Sequence, residues 1–131
     1  MKARRPLIAV AALIITGLAC SSSTDYGSGG GGGGTPVADI LIVQGASTRT
    51  TTAFDPNPFT VTLTAGTAAV KWGDNDNAAP HRILADGGTP LFNSPQLSKG
   101  QTYTFTFTAS GTFTYHCSVH PGMVGSIQVN P

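Results

Sequence analysis

No segment of this 131-residue chain carries a convincing helical period of apolar residues, so neither a helical bundle nor an alternating strand–helix fold has anything to build on. Charged side chains make up only 10% of it, and no cluster of Lys and Arg marks a face for nucleic acid. The longest apolar run, Leu7 to Ala19, falls short of the roughly 20 residues that a membrane helix requires. Cysteine and histidine are scarce as well, with two and three respectively. The few residues able to bind a metal or act as nucleophiles must therefore be read one by one.

Lys2, Arg4 and Arg5 precede the apolar run, the layout of an export signal, and residues 1–19 are set apart from the fold on that ground. Arg4-Arg5 stands without the rest of a twin-arginine motif, which favours ordinary secretion. The run ends at Gly17-Leu18-Ala19-Cys20. This resembles a bacterial lipoprotein signal, in which cleavage before the cysteine frees it for acylation, with Gly17 where Leu is usual. Cys20 is accordingly expected to be lipidated. A Cys20–Cys117 disulfide is the competing reading, and a cysteine ahead of a linker fits a framework disulfide poorly.

Residues 20–34 follow as a Ser-rich stretch and an unbroken run, Gly29 to Gly34. Such a sequence behaves as a flexible coil with an end-to-end distance of roughly 20 Å, the length of a short tether. A phosphate-binding loop would need a preceding strand and a following Lys-Ser/Thr, and neither is present. Residues 35–131 then form one domain, large enough to bury a core without disulfides. Loss of the signal removes three of the seven basic residues and none of the six acidic ones, taking the formal charge from +1 to −2.

Within that domain Phe59 to Thr64, Gln101 to Thr108 and Thr112 to Cys117 alternate apolar and polar residues, the pattern of strands with one wet face. Ala38 to Gln44, Ala68 to Trp72, His81 to Ala85 and Val124 to Val129 are further strand candidates. Turn signals lie between them at Ala65-Gly66, Gly73-Asp74-Asn75-Asp76-Asn77, Asp86-Gly87-Gly88, Lys99-Gly100 and Ser110-Gly111. Seven or eight short strands spaced in this way predict an all-β domain, a two-sheet antiparallel sandwich with Greek-key connections.

Alternation also sorts the histidines. Phe113, Tyr115 and Cys117 share the inward face of their strand, so His116 points to solvent and is not a ligand. The remaining candidates are Cys117-Ser-Val-His120-Pro-Gly-Met123 and His81, thirty-six residues upstream. Each alone is an ordinary core or surface residue. Together, a thiolate, two imidazoles and a thioether are a copper set, because two nitrogens and a sulfur with a weak axial Met suit electron-transfer copper, whereas structural zinc takes four strong ligands. Pro121 and Gly122 allow the tight return that brings His120 and Met123 back beside Cys117.

The stretch from Gly111 through Val129, with Ala53 to Phe59, Val70-Lys-Trp72 and Ala79-Pro-His-Arg-Ile83, resembles the cupredoxins, the plastocyanin- and azurin-like blue copper proteins. The two-residue spacings of its ligand loop are most similar to the amicyanin branch, since plastocyanin and pseudoazurin have a longer gap before the Met. The resemblance implies one copper per chain, cycling between Cu(I) and Cu(II), held by His81, Cys117, His120 and axial Met123. Family members often carry Asn directly after the first histidine, tied to the residue after the cysteine; here that position is Arg82, facing Ser118. An arginine there is expected to raise the reduction potential by disfavouring Cu(II).

The expected activity is single-electron transfer between membrane-associated redox partners by a monomer held to its membrane through the lipid on Cys20, in the periplasm or on the outer cell surface. A cytochrome or membrane oxidoreductase would dock transiently near His120, against an apolar patch of Pro121, Gly122, Met123 and Val124. A copper chaperone or sequestering protein of the same fold is the alternative. An oxidase or nitrite reductase needs further histidine clusters, and a binuclear copper centre a second nearby cysteine, so no enzyme is expected.

Overall fold

The computed structural model describes residues 34–131; the expected signal, Cys20 and all but the last residue of the expected glycine tether lie outside the described residues. Eight strands follow one another: β1 (Ile40–Ile42), β2 (Phe54–Asp55), β3 (Phe59–Thr62), β4 (Ala68–Asp74), β5 (Ile83–Ala85), β6 (Thr102–Phe107), β7 (Gly111–Cys117) and β8 (Val124–Asn130). A single 3-10 turn, Ala46–Thr48, is the helical element among them. The strands form two four-stranded sheets in the orders β2-β1-β4-β6 and β3-β8-β7-β5, the all-β two-sheet sandwich that the sequence predicts.

Most neighbours run antiparallel, and each sheet also contains one parallel pair, β1 with β4 and β3 with β8. The chain visits β2 and then crosses to the opposite sheet at β3 before it returns to β4, so β4 meets β1 in the same direction. Strand β2 was not among the sequence candidates; it has two residues, and Pro56 and Pro58 follow it closely. Strand β4 runs two residues beyond Trp72, into what reads as a turn. It does so because Ile42 and Asp74 are register partners, while Asp74 donates its N–H to Gln101 O and accepts one from Gly100.

Threonine and aromatic residues alternate in β6 so that Tyr103, Phe105 and Phe107 face inward while the threonines stay exposed. Trp72, Tyr115, Phe54 and Phe107 fill the space between the sheets, each 1% exposed or less. Tyr115 meets Phe54 at 4.8 Å and Trp72 at 5.7 Å between ring centres, both edge-on, the arrangement that aromatic quadrupoles prefer. This core ends directly beneath the termini of β4 and β7. The candidate ligands stand at that end.

Candidate metal centre

Cys117 is the last residue of β7, paired with Ile83 at the start of β5. Its side chain faces inward and is fully buried, as the alternation requires. His81 lies two residues ahead of β5, where a backbone bridge to Leu97 holds it from both sides, His81 N–H to Leu97 O at 2.9 Å and Leu97 N–H to His81 O at 2.7 Å. His120 and Met123 come from the six-residue loop between β7 and β8. Met123 N–H donates to His120 O at 2.9 Å and Cys117 N–H to Met123 O at 3.0 Å, which folds the loop back over the strand end.

One donor atom from each of His81, Cys117 and His120 lies within 4.8 Å of the others. The sulfur of Cys117 is 3.7 Å from Nδ1 of His81 and 3.9 Å from Nδ1 of His120. A trigonal metal with bonds of about 2.3 Å to sulfur and 2.0 Å to nitrogen, the zinc values, would separate its S and N ligands by roughly 3.7 Å. The three side chains therefore fit a transition-metal ion, and the soft thiolate with two imidazoles fits copper. Met123 is fully buried and lies on the same loop as His120.

Local electrostatics prepare the thiolate, the form of cysteine that binds metals. Burial pushes the Cys117 thiol up, but His81 and the N–H groups of Arg82, His120 and Val119 outweigh it and bring it down to about 6. Burial likewise opposes a charge on His81, yet Cys117 and the carboxylates of Asp76 and Asp74 raise its affinity for a proton. Thiolate and imidazolium thus stabilise one another before a metal replaces the proton between them.

Arg82 and Ser118 are tied through the backbone: Ser118 N–H donates to Arg82 O at 2.9 Å, and Arg82 N–H points at Cys117 Sγ at 3.4 Å. The guanidinium turns to the following loop instead, where Nε donates to Asn93 Oδ1 at 2.9 Å and Ser94 O at 3.0 Å. His116 is on the outer face as expected, with Nδ1 2.6 Å from Asp86 Oδ1. The expected apolar patch is altered in one place. Met123 is withdrawn from the surface because its loop closes over Cys117, while Val119 and Val124, 43% and 39% exposed, are the loop's exposed large apolar residues.

Two residues escaped the sequence reading. Asp76 accepts the far ring nitrogen of His81, Nε2, at 3.1 Å, and Asn57 bonds Thr51 O, Val124 O and Ser126 N–H, bracing the exit of the ligand loop. A carboxylate five positions before a candidate histidine ligand was the only sequence signal for the first. Nothing local announced the second.

The fold and these donors define a β-sandwich with a mononuclear soft-metal site at one end. The family described as copper binding proteins of the plastocyanin/azurin family matches residues 41–130, and the chain belongs to that family; copper is its metal. Amicyanin from Paracoccus denitrificans is 38% identical over 68 residues, covering 46% of this chain and 52% of that protein. Amicyanin-alpha from Methylorubrum extorquens is 38% identical over 72 residues, covering 53% and 59%. The chain thus spans about half the length of these relatives. Among solved structures, a purple cupredoxin from Nitrosopumilus maritimus superposes with a TM-score of 0.63 at 30% identity, over 72% of this chain and all of that one.

Proposed function

We propose that this protein is a single-electron carrier whose copper is held by His81, Cys117, His120 and axial Met123. The observation that carries the reading is the burial pattern of the donors: His81, Cys117 and Met123 are fully buried and His120 alone is partly exposed. A catalytic metal keeps a position open for substrate. This donor set leaves none, and copper bound there supplies a one-electron couple.

Cross-strand hydrogen bonds fix Cys117 and His81, so little rearrangement accompanies a change of charge at the site. His120 is the route for the electron, rimmed by Val119, Pro121, Gly122 and Val124. A rim this small suits the brief contacts of redox partners, typically below about 1,200 Å². A cytochrome or membrane oxidoreductase is the partner class we infer. Export to the periplasm or outer surface, with lipid on Cys20, would raise the effective concentration of the domain near such partners without fixing its orientation. No helix among the described residues is long and apolar enough to cross a membrane.

Protein loaded with Cu(II) is expected to show an intense thiolate charge-transfer colour that vanishes in Cys117→Ala; a colourless loaded protein overturns the blue-copper reading. Mixing the reduced protein with an oxidised cytochrome then separates carriage of electrons from carriage of metal. Oxidation of the site with copper retained is the expected result. Transfer of copper itself would make the protein a chaperone.

A further inference from the structure

The buried side of His81 is held by more than the ligand role requires. Orienting a histidine ligand takes one acceptor on its far nitrogen, and a backbone carbonyl would serve. Here the acceptor is Asp76 Oδ2, 3.1 Å from Nε2, and neither side chain has any solvent exposure. The same oxygen accepts Ala46 N–H at 3.1 Å, and Oδ1 accepts Ala78 N–H at 2.9 Å. The Asp76 main chain is pinned in turn by its N–H to Asp74 Oδ1 at 2.8 Å. Three donors, one of them thirty residues away in the chain, therefore converge on one buried carboxylate.

We propose that Asp76 is a positioning residue for the copper, fixing His81 with its proton on Nε2 and favouring the oxidised over the reduced ion, so that it lowers the reduction potential. The inference rests on the copper reading above and concerns this chain's own residue. Cu(II) with one thiolate carries a net positive charge, and Cu(I) with one thiolate is neutral. A buried anion behind one imidazole attracts the first and is nearly indifferent to the second. Position and charge are thus separable functions of one side chain.

Asp76→Asn keeps an acceptor oxygen for Nε2 and removes the charge. We expect it to reduce the ratio of Cu(II) to Cu(I) affinity about tenfold, a rise of about 59 mV for one electron, while nitrogen NMR of His81 still shows the proton on Nε2. Asp76→Ala removes both functions and is expected to weaken copper binding about 10- to 100-fold. An unchanged or lowered potential in Asp76→Asn overturns the proposal. Should neither variant fold, nitrogen NMR of the wild-type Cu(I) protein still decides, because an unprotonated Nε2 on His81 would sink it. Failure of the copper reading is separate: it appears as a colourless wild type, whereas failure here is a coloured wild type with an unmoved potential.

Discussion

Gly125 offers a sharp test of how tightly the core beneath the site is packed. It is the register partner of Tyr115 across β7 and β8, and a Cβ added there would lie 2.4 Å from Cζ, 2.5 Å from the hydroxyl oxygen and 2.8 Å from Cε2 of Tyr115. Ordinary contact begins near 3.4 Å, so the ring must retreat by about 1 Å in a core packed like an organic crystal. Its escape is blocked by Phe54 at 4.8 Å, Trp72 at 5.7 Å and Phe92 at 6.2 Å between ring centres. The Tyr115 hydroxyl makes no hydrogen bond that could be exchanged for a new one.

Overpacking of this kind costs about 1–3 kcal/mol, and a ring wedged on three sides places Gly125→Ala toward the upper end. For a domain of this size each kcal/mol lowers Tm by roughly 4–8 °C, so a fall of 10 °C or more is expected. Urea denaturation should show a lower midpoint with an unchanged slope. Tyr115→Leu removes the obstacle at its own cost in burial. The double variant should therefore be less damaged than the two singles added, with a coupling of roughly 1 kcal/mol or more. Copper recovers part of the loss, because a ligand bound only by the folded state stabilises it. The reasoning fails if Gly125→Ala unfolds within about 0.5 kcal/mol of wild type, the scatter of neutral surface changes, or if the two substitutions simply add.

Asp74 gives a pH test. Burial raises its carboxyl from 3.8 to about 6, so its contribution to stability is complete below pH 3.8 and is lost as pH rises through about 6, a change of about 3 kcal/mol across that window. Asp74→Asn lacks this term, and the variant's advantage over wild type at neutral pH should shrink as both are acidified to pH 4; a constant difference would refute the assignment. For Arg82, we propose that its positive charge disfavours Cu(II), so Arg82→Asn should lower the potential, by less than the opposite shift expected of Asp76→Asn because the guanidinium is exposed and turned to Asn93 and Ser94. Voltammetry showing an unchanged or higher value rejects it.

What could be read from the sequence was whatever repeats at short range. The Thr-aromatic alternation of Gln101 to Thr108 and Thr112 to Cys117 has the period of a pleated strand, and that period alone separated His116 from Cys117. The ligand loop was equally legible, because three of its donors fall within seven consecutive residues. Sheet order was not, since the parallel pairing of β1 with β4 depends on a chain excursion through the other sheet. Arg82 is joined to Ser118 through the backbone, but the direction of its guanidinium is decided by Asn93 and Ser94, eleven and twelve residues further on.

Asp76 illustrates the limit most clearly. Asp74-Asn75-Asp76-Asn77 has the composition of a solvated turn, because short polar side chains bond their own backbone there. Both aspartates do so, Asp74 to the N–H of Asp76 and Asp76 to that of Ala78. The difference is made by Ala46, thirty residues away, whose N–H reaches Asp76 Oδ2 and holds a turn residue's carboxylate in the interior. Local chemistry wrote the turn, and a long-range donor turned the same carboxylate toward His81. A site assembled in this way places its candidate donors where sequence can find them and the groups that touch those donors where only the fold can.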